Sequence, residues 1–265
     1  MSAPILVTGG TGTIGRQVVP LLRDAGADLR VLSRRTREPA DGVEYVTGDL
    51  FKNEGIEAAL DGVETLLHLA GGNKGDEVVA RNLMWAAANT EVEHVVLISV
   101  IAADRVPLSW MRTQVETEQA VIDSGVPYTI LRAAQFHDLV LKVVESMAKL
   151  PVVPIPGGLR FQPVDTRDVA ARLVELTFGT PSGRVPDLAG PEVYGMGDLV
   201  RGYLEARGKR RLTMPVRIPG KAGRAYRAGD NLSLDGADRG TRTWEDFLGE
   251  RLGRTAKTLT GARAS

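Results

Sequence analysis

The amino-acid sequence predicts an α/β protein with a doubly wound parallel sheet and a smaller C-terminal lobe. Over residues 5–132, short apolar runs alternate with amphipathic helical patterns. The runs are continuously apolar, as strands are when helices cover both faces of a sheet. A glycine-rich turn joins the first run to the first helix. Alternation of this kind builds a parallel sheet with helices on both sides.

The first half of the chain supplies the predicted sheet in regular order. The first helix carries apolar residues at helical spacing from Ile14 to Ala25, and Gly26 is placed to end it. We predict strands over residues 5–8, 29–33, 45–47, 65–69, 94–99 and 128–132. We predict helices that end at Ala25, Leu60, Asn89 and Ser124.

The pattern changes at Pro151, where prolines and glycines as far as Gly158 predict a loop. A helix over residues 167–178 follows, and Asp165 or Thr166 is placed to cap it. We expect the chain to cross between the sheet domain and the lobe more than once. The expected domain, lobe and polar tail span residues 1–150, 151–254 and 255–265.

Composition excludes several classes of function. The 265 residues are 43% apolar and 25% charged, as in ordinary globular proteins, and the formal net charge of zero attracts neither nucleic acid nor anionic lipid. There is no Cys, which excludes disulfides and thiolate chemistry, and three scattered His do not predict a metal site. Neither a secretory signal nor a membrane-spanning run is evident. We expect a cytoplasmic, soluble protein without membrane or nucleic-acid partners.

The glycine-rich turn predicts a dinucleotide site of the Rossmann type. Gly9, Gly12 and Gly15 have the spacing in which the first glycine permits a tight turn and the second lets the backbone approach a pyrophosphate. The third lets the helix pack on the strand. Because a strand precedes the turn and a helix follows it, this context is more specific than the glycine pattern alone.

The end of the second predicted strand selects the type of dinucleotide. NAD-specific sites place an acidic residue there, whereas this chain has Ser33, Arg34 and Arg35. A guanidinium binds a 2′-phosphate that a carboxylate would repel. We therefore predict NADP(H) as the cofactor. The alternative is that Arg34 and Arg35 only begin a solvated loop.

Further motifs extend the pattern along most of the chain. They are the segments 9–15, 48–50 (Gly-Asp-Leu), 69–72 (Leu-Ala-Gly-Gly), 97–99 (Leu-Ile-Ser), 124–136 (with Thr-Ile-Leu-Arg) and 162–170 (with Asp-Val-Ala). Together they resemble the atypical short-chain dehydrogenase/reductase superfamily, and within it the NmrA-like NAD(P)-binding group. The resemblance is specific for the fold and says little about the substrate.

The resemblance implies roles for particular residues. Asp49 would reach the adenine amine, Ser99 would lie near the nicotinamide, and backbone after Arg132 would line the nicotinamide pocket. Simpler interpretations are a turn cap for Asp49, a strand-end hydrogen bond for Ser99 and an anchor to backbone carbonyls for Arg132. The candidate cofactor-binding residues are Gly9, Thr11, Gly12, Thr13, Ile14, Gly15, Ser33, Arg34, Arg35, Asp49, Leu50, Ala70, Gly71, Gly72, Ser99, Gln114 and Ala133.

One feature of the superfamily is missing. Its reductases commonly use a Tyr and, four residues later, a Lys, and alignment places these positions at Trp110 and Gln114. An indole N–H cannot shuttle protons near neutral pH, and an amide carries no charge. Three hypotheses follow: an oxidoreductase for quinones or conjugated acceptors that needs no dyad, a non-catalytic NADP(H)-sensing regulator with a protein partner, or a cyclase or isomerase with a structural cofactor.

We also predict a pocket for a small-molecule substrate or effector between domain and lobe, lined by Trp110, Phe136, His137 and Gln162. His137 is a candidate acid or base there, and the alternative is a His behind the pocket or on the surface. Residues 207–227 contain eight Lys or Arg and no acid. This stretch fits a nucleic-acid or partner patch, but the lack of interleaved aromatics favours a solvated surface.

Overall fold

The computed structural model describes residues 3–72 and 75–252. Its strands are β1 Ile5–Thr8, β2 Leu29–Ser33, β3 Val43–Thr47, β4 Thr65–His68, β5 His94–Val100, β6 Tyr128–Ala133, β7 Val152–Pro156, β8 Arg160–Phe161, β9 Gly183–Arg184, β10 Leu188–Ala189, β11 Tyr194–Gly195, β12 Leu212–Val216 and β13 Asp238–Arg239. Its helices are α1 Gly15–Asp24, α2 Ile56–Leu60, α3 Asp76–Ala87, α4 Ser109–Asp123, α5 His137–Met147, α6 Thr166–Phe178, α7 Met196–Ala206, α8 Gly220–Ala228 and α9 Trp244–Leu252.

The main sheet is parallel throughout, as predicted. Its strand order is β13-β10-β6-β5-β4-β1-β2-β3, and β9 also pairs with β6. The chain builds outward from β1 in both directions, so β1 and β4 meet where the strand order reverses. Ligands of open α/β sheets bind at this point, beyond the carboxyl ends of the strands.

Helices cover both faces of this sheet. Strand β1 is buried along its whole length, with Leu6 in the apolar core on one face and Val7 in the core on the other. Val18 of α1 and Leu173 of α6 pack against the face of Val7, while Leu83 of α3 shares the core of Leu6. Burial on both faces explains why the strands read as continuous apolar runs.

A third apolar core holds the lobe together. It is formed by α5, α7, α9 and β7, with Trp244 and Leu199 fully buried at its centre. Two small sheets belong to this part: β7 pairs with β12 in parallel, and β8 pairs with β11 in antiparallel. Helix α5 packs in the lobe, although it precedes residue 150. The later elements α6, β9, β10 and β13 return to the main sheet. A single boundary at residue 150 therefore does not separate the sheet domain from the lobe.

Local signals for helix ends agree with the structure. Asp165 is the N-cap of α6, where its side chain accepts a hydrogen bond from the backbone N–H of Arg167. Gly26 follows α1 with φ +83°, the left-handed conformation that glycine adopts without strain. Within the described ranges, no helix has the length and apolar character needed to cross a membrane. The predicted tail over 255–265 lies outside the described residues.

The expected loop after Pro151 is instead strand β7. Pro154 and Pro156 lie within it, and it pairs on one side with β12 from Val152 to Pro156. Proline is tolerated in strands of this kind, because an edge strand does not need every backbone N–H in the ladder. The proline-rich composition therefore concealed a short edge strand.

Candidate functional site

A groove of about 420 Å³ opens at the carboxyl ends of β1, β2 and β4. It is lined by Thr8, Gly9, Thr11, Gly12, Leu32, Ser33, Arg34, Gly48, Asp49, Leu50, Phe51, Leu69, Ala70, Gly71, Gly72, Asp76 and Val79. Ten of the predicted cofactor-binding residues are among them, namely Gly9, Thr11, Gly12, Ser33, Arg34, Asp49, Leu50, Ala70, Gly71 and Gly72. The groove lies where the strand order reverses, the expected place for a ligand of such a sheet.

The glycine turn forms the wall of the groove nearest α1. Gly9 has φ +70°, and a Cβ there would lie 2.6 Å from the backbone N of Ala70. A Cβ on Gly15 would lie 2.4 Å from the carbonyl oxygen of Gly9, so the turn packs directly on the helix. No side chain caps α1 at Ile14. The uncapped helix start leaves backbone N–H groups for a phosphate, so the turn fits a dinucleotide.

The end of β2 presents a cation to the groove. The hydroxyl of Ser33 donates to the carbonyl of Arg35 (2.8 Å) and accepts from its N–H (3.2 Å), which holds a compact turn. Arg34 lines the groove, is exposed, and forms no ion pair within the described part of the chain. Arg35 is also exposed but does not line the groove. Arg34, unlike Arg35, is therefore placed to contact a ligand in the groove.

Asp49 closes a turn at the opposite side of the groove. Its Oδ1 accepts hydrogen bonds from the backbone N–H groups of Phe51 (3.0 Å) and Lys52 (3.3 Å). The turn cap that local chemistry suggested for Asp49 is thus present, while Asp49 and the buried Leu50 also line the groove. A role toward adenine stays a prediction for Asp49.

The loop after β4 is held by an aspartate that the sequence reasoning missed. Asp76 is 6% exposed; its Oδ1 accepts from the N–H of Gly72 (2.7 Å) and its Oδ2 from the side-chain amide of Gln114 (3.0 Å). Burial raises the pKa of Asp76. Gln114 therefore reaches the edge of the groove through Asp76. An acidic residue in the first turn of a helix after a glycine pair is the signal that could have found it.

A buried histidine lies beneath the groove floor. The Nδ1 of His68 is 2.6 Å from the hydroxyl of Thr8, which lines the groove. Burial lowers the pKa of His68 to about 4. His68 is therefore neutral at neutral pH and acts as a fixed hydrogen-bonding partner of Thr8. Nothing in the local sequence indicated this pair, because its members come from different strands.

Ser99 and Arg132 belong to a buried ion-pair cluster instead of the groove surface. The hydroxyl of Ser99 donates to Glu118, and Arg132 binds both oxygens of Glu118 at 2.7 Å. Arg132 also pairs with Asp104 at 2.9 Å. The expectation that Arg132 anchors backbone carbonyls is wrong, since its guanidinium binds two carboxylates. The cluster ties α4 to the ends of β5 and β6.

Several other predicted cofactor residues also lie away from the groove lining. Ile14, Gly15 and Ala133 are buried. Thr13 is exposed and lines a second cavity of about 540 Å³. The residues predicted to bind the cofactor that do not line the groove are Thr13, Ile14, Gly15, Arg35, Ser99, Gln114 and Ala133.

The predicted substrate pocket does not form around His137 and Gln162. His137 has no exposed surface and packs against Phe247 and Trp244, with ring centroids 5.2 and 5.7 Å away. Its Nδ1 lies 3.9 Å from Oδ2 of Asp165, beyond hydrogen-bond distance, and neither ring nitrogen has a hydrogen-bond partner among the described residues. Gln162 is 2% exposed, and its amide donates to the carbonyl of Gly190. An acid–base role for His137 therefore conflicts with its burial. Trp110 and Phe136 are half-buried against the core.

A cavity between domain and lobe exists with a different lining. This second cavity is bordered by Thr13, Arg16, Gln17, Asp138, Lys142, Asp165, Thr166, Arg167, Phe247, Glu250 and Arg251. Arg167 crosses it, pairing with Asp165 at 2.8 Å and with Glu250 at 2.6 Å. Its lining is mostly charged, so it differs from the aromatic pocket that the sequence predicted.

Comparison with known proteins identifies the family. A family model described as NAD(P)H-binding matches residues 9–177. The chain is 37% identical over 195 residues to the (4-alkanoyl-5-oxo-2,5-dihydrofuran-3-yl)methyl phosphate reductase of Streptomyces griseus, covering 71% of this chain and 68% of that one. It is 31% identical over 213 residues to the NAD(P)H azoreductase of Xenophilus azovorans, covering 77% and 74%.

Solved structures agree on the fold. The crystal structure of the NADPH-dependent quinone oxidoreductase of Escherichia coli complexed with NADPH superposes with a TM-score of 0.79 at 20% identity, covering 93% of this chain and 99% of that one. The family match gives NAD(P)H as the cofactor class, which agrees with the glycine turn and the groove. The chain belongs to the NAD(P)H-binding family, of the NmrA-like, atypical short-chain dehydrogenase/reductase type, whose members include NAD(P)H oxidoreductases.

Proposed function

We propose that the protein is an NADPH-dependent reductase of conjugated acceptors such as quinones. The observation that carries the proposal is the groove at the strand-order reversal, with the uncapped start of α1 at one wall and Arg34 at another. The groove residues would hold the cofactor, and bound NADPH would supply a hydride. Arg34 would bind the 2′-phosphate, because its guanidinium is exposed and free of ion pairs among the described residues.

The proposed acceptor class rests on the alignment that puts Trp110 and Gln114 at the positions of the usual Tyr and Lys. Gln114 is neutral, and its amide is committed to Asp76. Trp110 is half-buried in the first turn of α4, and its indole carries no titratable proton near neutral pH. Neither residue can donate a proton to a simple carbonyl oxygen. Conjugated acceptors avoid this need, since their reduced anions are stabilised by delocalisation and take a proton from water.

The names of the relatives support this acceptor class. One is an azoreductase, and another reduces an unsaturated furanone carrying a phosphate ester. An azo group and the ring double bond of an acyl-substituted dihydrofuranone are both parts of conjugated systems. By analogy, we infer that a quinone or another electron-poor conjugated system is the acceptor for this chain.

The test is NADPH oxidation by the purified protein with matched panels of quinones, azo compounds, ketones and aldehydes. We expect turnover of quinones or azo compounds and little reduction of simple carbonyls, because a positioned acid contributes roughly 10²–10⁴-fold. The double variant Trp110→Tyr with Gln114→Lys should gain carbonyl reduction while it keeps NADPH affinity. Rapid ketone reduction by the wild type would show that another residue donates the proton.

Absence of turnover with every acceptor would refute the reductase proposal. It would favour a cofactor-sensing role, in which a protein partner distinguishes the NADP⁺-bound from the NADPH-bound form. Partner capture in the presence of each cofactor form would then decide that question.

A further inference from the structure

An aromatic side chain is exposed at the wall of the cofactor groove. Phe51 lines the groove and is 59% exposed, whereas its neighbour Leu50 is buried. A phenyl ring in water lacks the free energy that its burial would release, and a ligand that covers the ring would recover it. Single exposed apolar side chains are common on protein surfaces. What distinguishes Phe51 is its position in the groove and the way its backbone is held.

Hydrogen bonds fix the backbone of Phe51 on both sides of the residue. Its N–H donates to Oδ1 of Asp49 at 3.0 Å. Its carbonyl accepts from the side-chain amide of Asn82 at 3.4 Å, and the same amide donates to the carbonyl of Leu50 at 2.8 Å. Because Asn82 belongs to α3, that helix holds the turn in place. A side chain on a fixed backbone loses little conformational freedom when a ligand binds to it.

One edge of the Phe51 ring packs on Gly75, the residue before α3. Gly75 has φ +83°, and a Cβ there would lie 2.7 Å from Cε2 and 3.1 Å from Cδ2 of Phe51. The ring can lie this close to the backbone only because the residue is glycine. This contact supports one edge of the ring, and more than half of Phe51 remains exposed.

Phe51 lies at the adenosine end of the groove. Strands β2 and β3 pair up to Ser33 and Thr47, and the N–H of Gly48 then donates to the carbonyl of Ser33 at 3.0 Å. The turn that carries Phe51 therefore begins beside the strand end that presents Arg34 to the groove. In Rossmann sites the end of the second strand contacts the ribose of the adenosine half. The adenosine is thus the part of the dinucleotide that Phe51 can reach.

We propose that the ring of Phe51 stacks on the adenine base of the bound dinucleotide. Aromatic side chains bind bases through their π faces, so the interaction needs no particular hydrogen-bonding group on the base. Stacking covers the exposed ring and is independent of the 2′-phosphate and of the acceptor. Phe51 therefore adds affinity for NADPH and NADH alike, whereas the contact proposed for Arg34 discriminates between them.

Binding of three nucleotides by the purified full-length protein tests the proposal. Phe51→Ala should weaken binding of NADPH, NADH and 2′,5′-ADP by the same factor, about 5- to 150-fold, the range for a base stacked on an aromatic ring. Because 2′,5′-ADP has the adenosine half without the nicotinamide, its calorimetric titration isolates that end of the groove. Phe51→Tyr should keep the wild-type affinities, since it preserves the ring.

Phe178→Ala is the matched control. Phe178 is 53% exposed at the end of α6 and does not line the groove. This variant should bind all three nucleotides like the wild type. The melting temperatures of the Phe51 and Phe178 variants should stay close to that of the wild type, because both residues are more than half exposed.

Phe51→Trp reports the contact directly. An adenine stacked on the introduced indole should quench its fluorescence when 2′,5′-ADP is added, beyond any change in the wild type, which contains three Trp. Wild-type affinities in Phe51→Ala, or a loss for NADPH alone, would overturn the proposal. So would a Phe51→Trp variant whose fluorescence responds to 2′,5′-ADP no more than that of the wild type.

Discussion

Replacement of Arg34 by Gln should weaken NADPH binding selectively. The guanidinium faces the groove, is exposed, and forms no ion pair within the described residues, so nothing in the folded protein competes with a ligand for it. A hydrogen bond to an ionised group contributes about 1.5–3 kcal/mol. With partial screening by water, we expect a loss of about 1–3 kcal/mol, which is roughly 5- to 150-fold in Kd.

The affinity for NADH should change little, because NADH lacks the 2′-phosphate. The free energy of unfolding should stay within about 0.5 kcal/mol of the wild type, as for other exposed side chains without partners. Arg35→Gln is the matched control, since Arg35 is exposed beside Arg34 but does not line the groove. Its NADPH affinity should remain close to that of the wild type.

Fluorescence titration of NADPH and NADH against the wild type and both variants makes the measurement. Equal wild-type affinities for the two cofactors would refute the assignment of Arg34. So would an equal loss of NADPH and NADH affinity in Arg34→Gln, which would indicate general damage to the groove. A larger effect in Arg35→Gln would move the 2′-phosphate site to that residue.

Three further perturbations test the structure around the groove. Gly15→Ala should abolish NADPH binding and lower the yield of folded protein, because its Cβ would lie 2.4 Å from the carbonyl oxygen of Gly9. Titration measures the NADPH affinity, and circular dichroism measures the folded fraction. Glu118→Ala leaves Arg132, 4% exposed, without its bidentate partner, and should cost about 3 kcal/mol of unfolding free energy in urea melts. The pKa of His68 is lowered from 6.5 to about 4 in the folded protein. As the pH falls, the unfolded chain therefore takes up a proton at His68 at a higher pH than the folded protein does. Stability should therefore fall by about 3 kcal/mol from pH ~6.5 to ~4, and His68→Gln should flatten that slope.

The main sheet could be predicted because the patterns that indicate its first six strands each lie within one continuous segment of the chain. Strands β1, β4, β5 and β6 are mainly apolar runs, β2 and β3 are interrupted by Arg30 and Glu44, and α1 has a regular apolar stripe that ends before Gly26. Strands β8 to β11 and β13 have two residues each. Such segments have no periodicity, and their pairing depends on neighbours brought together by the rest of the fold.

The groove was predictable where backbone geometry defines it and not where side chains meet across the fold. The glycine turn and the end of β2 follow from spacing along the chain, so Gly9 and Arg34 could be placed. Asp76 meets Gln114 from a different helix, and no local pattern indicates that contact. The burial of His137 has no local signal, because Trp244, far along the chain, packs against it. A helix start alone does not show which side chains later segments will bury.

The strand order determines when each strand can pair with its neighbours during synthesis of the chain. Strand β6 receives its outer neighbours from residues 183–189, and β13 adds the last strand at residues 238–239. A ribosome that has released only the first 150 residues therefore presents β6 as an open edge of a hydrophobic parallel sheet. Open edges invite pairing with other chains. Vectorial synthesis thus leaves β6 without its outer neighbours until residues 183–189 have been translated.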